Sequence, residues 1–282
     1  MKSRISILPV AVLLFVSLAC RPETVPKRFH LINLSLPKTG SLSLTAIFGR
    51  YRSSHDYLLQ ETVSRYLDWR QGQFALADVQ KFLRYRDQLG NFEVDSATFH
   101  YLAMEQVMST FPEAKFYVSI RNGADWIVSL TEMLHNFYGP GQFLEKHGID
   151  KKFVLRYFSH ILPGFSPDAF SEIRKFNVSL RHILPVMAEL WGRTSLAQLQ
   201  LVKSLPRERI LLVKTEDISH SLTKMAQFAG VPVDTLDSSR THMHKDFRAA
   251  AIRDHIGTEA LEKAVRPWQM RVDAALKELA DR

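Results

Sequence analysis

Three short apolar runs punctuate an otherwise mixed chain: Phe29 to Leu36, Lys115 to Ile120 (KFYVSI) and Arg209 to Lys214 (RILLVK). Each has strand length and is bounded by turn or polar residues, the pattern of buried strands in a parallel sheet. Between them, apolar residues recur at spacings of three and four, as in Tyr101, Met104, Val107, Met108 and Phe111, or Trp126, Leu130, Met133, Leu134 and Phe137. That spacing lays one apolar stripe of a helix against the sheet. Strands alternating with helices predict an α/β fold in three layers, a central parallel sheet flanked by helices through right-handed crossovers, with ligands gathering where strands end and helices begin. The second half is richer in helix signals. Ser166-Pro167 opens one helix, another begins near Ser221 and stops at Gly230, and a last one runs from Thr258, with Pro267 expected to kink or break it.

The first twenty residues differ in kind. Lys2 and Arg4 precede an apolar stretch from Ile5 to Ala19, which ends at Cys20 and turns polar at Arg21. A run shorter than the roughly 20 apolar residues that span a bilayer, interrupted by Pro9, reads as a signal peptide or a short membrane anchor. Ser17-Leu18-Ala19-Cys20 resembles a bacterial lipoprotein box, in which the cysteine becomes the lipidated first residue of the mature chain; Ser17 stands where such boxes prefer leucine. Residues 1–20 are therefore expected to be an export or anchoring segment, residues 21–28 a polar linker, and residues 29–282 one folded domain. The alternative is an N-terminal extension of a protein facing the cytoplasm.

Composition narrows the chemistry. The chain has 282 residues, 46% of them hydrophobic, enough for one large core. Its formal charge of +8 comes from basic residues scattered along the sequence. Without a basic stripe or a reading motif this favours a small anionic ligand over nucleic acid. A single cysteine, Cys20, rules out an intramolecular disulfide and a cysteine-built metal site.

The first strand leads directly into Leu36-Pro37-Lys38-Thr39-Gly40-Ser41-Leu42-Ser43-Leu44, and the sequence then continues as a helix. Backbone N–H groups at a helix start attract an anion, Gly40 lets the chain approach it closely, and Ser41 and Ser43 add hydroxyls. Lys38 offers a compact positive charge for an oxygen that gains charge as its bond breaks. A nucleoside triphosphate loop places its lysine after the second glycine, whereas Lys38 precedes Gly40, so a kinase reading loses most of its support.

The segment resembles the 5'-phosphosulfate loop of sulfotransferases, commonly PKxGTT or PKTGTTSL, with Ser41 in place of a threonine and Leu42 departing from the pattern. A second segment supports the resemblance. After the Lys115 to Ile120 strand, Arg121-Asn122-Gly123-Ala124-Asp125-Trp126-Ile127-Val128-Ser129 is similar to the family's 3'-phosphate motif, RNPxDxxxS, with Gly123 where proline is common. Arg121 at the strand end can grip a phosphate with two N–H bonds, and Ser129 eight residues later can add a hydroxyl. The two segments stand in the family's order, about eighty residues apart. A weaker echo, Ile210 to Ile218, resembles the family's late strand ending in YEDL, with Thr215 for the tyrosine.

The resemblance covers most of the chain from Phe29 to about Asp246 and implies a P-loop-like fold. It implies an enzyme that moves a sulfuryl group from 3'-phosphoadenosine-5'-phosphosulfate to a hydroxyl or amine of a small-molecule, glycan or lipid acceptor, without a metal. The donor would be held by Pro37, Lys38, Thr39, Gly40, Ser41, Leu42, Ser43, Arg121 and Ser129, with Lys245 a further contact from the late region. Such a donor is made in the cytosol, whereas the N-terminus suggests export. Two other functions stay open at this point: a catalytically silent nucleotide-binding surface lipoprotein, and a nucleotide or small-molecule kinase.

Sulfuryl transfer also needs a base for the acceptor's proton, near Lys38 but not permanently paired with it. Asn91 to His100 lies where relatives place catalytic or acceptor-contacting groups. Glu93 and Asp95 alternate with Phe92 and Val94, so a strand would turn both carboxylates to one face. Asp95 is the first candidate, Glu93 the second and His100 the third, against the simpler reading of solvated charge and helix capping. His242 and His244 lack a nearby third ligand and read as loop histidines. The aromatics from Phe137 to Phe176 read as core, with an acceptor pocket as the alternative.

Overall fold

The computed structural model describes residues 25–138, 143–146, 148–163, 183–241 and 249–281. Residues 1–24, the Ser166-Pro167 helix start and the segment carrying His242, His244 and Lys245 lie outside these residues. No helix among the described residues is long and apolar enough to cross a membrane.

The core of the fold is a five-stranded, all-parallel sheet: β1 (Leu31–Asn33), β2 (Ser53–His55), β3 (Val94–Ser96), β4 (Lys115–Ile120) and β5 (Ile210–Lys214), in the order β2-β3-β1-β4-β5. Side chains alternate across it. Leu31, Val94, Tyr117, Leu211 and Val213 pack on one face with Leu44 and Ile47 of α1 (Ser41–Ile47), Phe48 just after it, and Met225 and Ala226 of α9 (Leu222–Ala229). Ile32, Phe116, Val118 and Ile120 pack on the other, against Trp126, Leu130 and Leu134 of α5 (Gly123–Tyr138) and Met187, Ala188 and Trp191 of α8 (Leu184–Ser204). This is the period of two expected of strands buried on both faces, and it yields the three layers that the sequence predicts.

The remaining described helices wrap this frame: α2 (Leu59–Arg70), α3 (Leu76–Gly90), α4 (Met104–Thr110), α6 (Phe143–Lys146), α7 (Lys151–Ile161), α10 (Ala249–Ile256) and α11 (Thr258–Ala280). Gly230 closes α9 in the left-handed conformation, φ 77°, as its sequence position predicts. Pro267 does not end the last helix, which continues past it to Ala280. Of the aromatic run, Phe158 is buried in the core, and the Tyr157 hydroxyl bonds that of Tyr101 at 2.9 Å.

Two strands are shorter or less apolar than sequence periodicity detects. The run Phe29 to Leu36 contributes only three residues to β1, because the chain beyond Leu34 turns away to form the loop; Leu34 still donates its N–H to the Tyr117 carbonyl at 2.9 Å. The edge strand β2 is Ser-Ser-His, polar and partly exposed, and carries no apolar signal at all. In sheet order β1 sits between β3 and β4, with α1 leaving to one face and α5 covering the other. The loops after β1 and β4 thus open side by side at the carboxyl edge, the position where open α/β sheets form a ligand crevice.

Candidate active site

The loop after β1 is fastened from three directions. From β4, the Ser119 hydroxyl donates to the Thr39 carbonyl at 2.6 Å. From α5, the Trp126 indole N–H donates to the Pro37 carbonyl at 2.8 Å. From the turn after β5, the Thr215 hydroxyl reaches the Thr39 carbonyl at 3.2 Å. Thr39 closes the loop on itself, its hydroxyl donating to the Leu36 carbonyl at 2.7 Å. These bonds occupy the loop's carbonyls, and α1 begins directly after Gly40 at Ser41, which puts the first, intrahelically unpaired N–H groups of the helix beside the loop. Lys38 and Gly40 both take the left-handed conformation, at φ 67° and 97°. For Lys38, as for any residue with a Cβ, this conformation is unfavourable and must be imposed by the surrounding bonds.

Gly40 is needed at its position. A Cβ there would stand 2.4 Å from Ile218 Cδ1, in a conformation L-residues seldom adopt. Gly40→Ala is expected to destabilise the fold by about 1–2 kcal/mol, mostly from backbone strain since the Ile218 methyl can move. Thermal unfolding should show a midpoint lowered by a few degrees. An unchanged midpoint would mean the loop relaxes freely and is not held as described.

Arg121 follows β4 and points back to the loop, its Nη1 donating to the Lys38 carbonyl at 3.1 Å. The bond joins residues 83 positions apart and brings the two segments singled out in the sequence together at the carboxyl edge of the sheet. A guanidinium carries five N–H donors, so tying the loop and gripping a phosphate are compatible roles. Asp125 is paired with Arg253 of α10, not with Arg121. Ser129 lies in the second turn of α5 and is buried, as are Thr39, Ser41 and Ser43; Pro37, Lys38, Gly40 and Leu42 are half-buried.

The departures from the family pattern have local causes. A Cβ on Gly123 would lie 2.7 Å from Trp191 Cε3 and from Val265 Cγ1, and its N–H, which a proline would lack, donates to Gln269 Oε1 at 3.0 Å. Trp191 in turn donates its indole N–H to the Arg121 carbonyl at 3.1 Å. The turn is therefore stiffened by close packing of α8 and α11 instead of by a proline ring. Thr215, at the tyrosine position, spends its hydroxyl on the loop.

The two carboxylates singled out from sequence are placed differently from Lys38. Glu93 precedes β3, at the amino edge of the sheet, opposite the crevice. It is buried and accepts from Arg28 Nε at 2.8 Å and Nη2 at 2.9 Å, and from the Arg52 backbone N–H at 3.1 Å. The Arg28 bonds, against the opposing effect of burial, hold its carboxyl down at about 2. Asp95, within β3, accepts from Arg86 Nη2 of α3 at 3.0 Å and also from Nη1, and from His100 Nε2 at 3.0 Å. Burial alone would raise its carboxyl, but the Arg86 charge and the bonds from Arg86 and His100 carry it well below the usual carboxylate range. Burial pushes the His100 imidazole down, and its Nδ1 receives the Tyr66 hydroxyl at 2.8 Å. Each of these groups has a standing partner, the arrangement of a satisfied buried network.

Sequence reasoning missed His55. It ends β2 at the carboxyl edge, with Nε2 3.1 Å from the Ser41 hydroxyl and Nδ1 3.3 Å from Asp56 Oδ2. Its position at the end of a polar three-residue strand left no sequence signal that it would reach the loop.

No curated protein matches the chain. Among solved structures, a sulfotransferase from Alicyclobacillus acidocaldarius aligns at 14% identity and a TM-score of 0.37, covering 86% of this chain and 99% of that one. A family model for the sulfotransferase domain matches residues 30–247, from just before β1 to beyond β5 and α9, so that both segments singled out in the sequence fall inside it, and the chain belongs to the sulfotransferase family.

Proposed function

We propose that the chain transfers a sulfuryl group from 3'-phosphoadenosine-5'-phosphosulfate to a hydroxyl or amine acceptor, small molecule, glycan or lipid. The observation that carries this reading is the Arg121 to Lys38 bond, which sets a strand-end guanidinium against the backbone of the lysine loop, so that one ligand with two anionic groups could reach both segments. The loop receives the 5'-phosphosulfate, with Gly40 admitting it and Ser41 and Ser43 beside it. Arg121 takes the 3'-phosphate, with Ser129 and Lys245 as further proposed contacts. Lys38 stabilises charge on the bridging oxygen as the sulfur–oxygen bond breaks.

Calorimetry with adenosine 3',5'-bisphosphate tests the donor site, and binding without added metal is the expected result. Arg121→Ala should weaken that binding about 10- to 100-fold, the worth of charge-assisted hydrogen bonds. Binding of adenosine 5'-phosphate, which lacks the 3' group, should change far less. Equal losses for both nucleotides would show that Arg121 acts only by holding the loop, and the 3'-phosphate assignment would fall.

A further inference from the structure

The reaction needs a base beside the loop, and the buried carboxylates do not open onto it. The structure brings a different group there. His55 and Asp56 lie where β2 ends, at the same carboxyl edge as the loop, because β2 pairs with β3 in register through His55 opposite Ser96. Ser96 in turn donates its hydroxyl to the Ser41 carbonyl at 2.8 Å, so β3 fixes the distance between the loop and the end of β2. Asp56 is immobilised by the Thr98 N–H at 2.7 Å and the Thr98 hydroxyl at 2.9 Å, in a left-handed conformation with φ 54°. Its Oδ2 stands 3.3 Å from His55 Nδ1. A proton on Nδ1 facing that carboxylate leaves Nε2 as the acceptor, and Nε2 is the atom that faces the Ser41 hydroxyl at 3.1 Å. The His55 side chain keeps 23% of its surface exposed, against 1% for His100 and 5% for Asp95. An acceptor can therefore approach His55, and a proton can leave it.

We infer that His55 is the base that takes the acceptor's proton, oriented by Asp56 and uncovered when the donor fills the loop. This rests on the donor reading above. Ser41 has one hydroxyl proton. In the empty loop it is directed to His55 Nε2; with the phosphosulfate in place the hydroxyl turns to an anionic oxygen, and Nε2 is released. The acceptor oxygen then forms its bond to sulfur while its proton passes to Nε2. The bond between sulfur and the bridging oxygen breaks, its electron pair leaving on the 5'-phosphate of adenosine 3',5'-bisphosphate beside Lys38. His55 afterwards returns the proton to solvent. Binding of donor and readiness of the base are thereby coupled through one hydroxyl.

Water serves as the acceptor in the test, with donor labelled in the sulfuryl group and the full-length protein. His55→Gln keeps a hydrogen-bond acceptor for Ser41 but is not basic. It is expected to lower labelled sulfate release about 100-fold, the usual worth of a general base, with bisphosphate affinity within about threefold of the parent and the same unfolding midpoint. Asp56→Asn should fall between the two in rate. Release by His55→Gln at the parent rate would overturn the inference, as would an affinity loss that accounts for the whole rate loss, since His55 would then only position Ser41. A parent protein that binds bisphosphate yet releases no sulfate above the buffer rate would also overturn it, while the donor reading stood. Failure of the parent to bind bisphosphate would instead bring down the donor reading itself.

Discussion

Lys38→Ala is expected to lower sulfuryl transfer by on the order of 10²- to 10³-fold, the effect of removing one preorganised charge from a developing anion. The bonds that shape the loop run through the Pro37, Lys38 and Thr39 carbonyls and the Thr39 hydroxyl, and none of these needs the Lys38 side chain. Alanine in the same left-handed backbone carries a strain like that of lysine, so the loop should keep its form while losing its charge. On the proposed reading, bisphosphate affinity should fall by less than the rate, because backbone N–H groups of the loop would also hold the product's phosphate, whereas charge on the bridging oxygen grows only as the bond breaks. Labelled donor incubated with a cell extract as the source of acceptor gives the rate, and calorimetry gives the affinity. Full transfer by Lys38→Ala would remove the lysine from the mechanism. Lys38→Arg should recover only part of the loss, since a planar fork does not replace a compact ammonium at a single oxygen.

What could be read from the sequence was local. Lys38, Gly40 and Ser41 lie within four residues of one another, and the strand before them and the helix after them are signalled by their own side chains. The place of Arg121 was legible for the same reason, directly after a six-residue run that becomes β4 and buries five of its positions. Residues whose roles depend on partners distant in sequence were not. Asp95 has acidic character in any fold; that Arg86 on α3 and His100 close around it follows from how α3 packs, which no periodicity encodes. Gly123 looks like a lost proline until Trp191 and Val265, both far along the chain, are seen pressed against it. His55 depends on the pairing of β2, whose three polar residues owe their strand conformation to β3 and not to their own preferences.

Asp95→Asn should unfold the protein more readily by about 3–5 kcal/mol, because it strips the countercharge from an arginine that stays buried. The Arg86 side chain is 2% exposed and that of Asp95 5%, so neither water nor salt can replace the lost partner. The unfolding midpoint should drop on the order of 10 °C at neutral pH. The carboxyl of Asp95 is held below its ordinary value of 3.8 in the fold, so its contribution is present above that value and is lost as pH falls below it. The gap between the parent and Asp95→Asn should therefore narrow on acidification below about pH 4 and be unaffected by raising pH from 6 to 8. Replacing Arg86 and Asp95 together by methionine and leucine should cost less than Asp95→Asn alone, since no unpaired charge remains. A base would behave in the opposite way: Asp95→Asn would keep the unfolding midpoint and lose turnover. The two measurements on one variant thus separate a carboxylate that holds β3 against α3 from one that takes protons, and the buried Arg86 pair predicts the first.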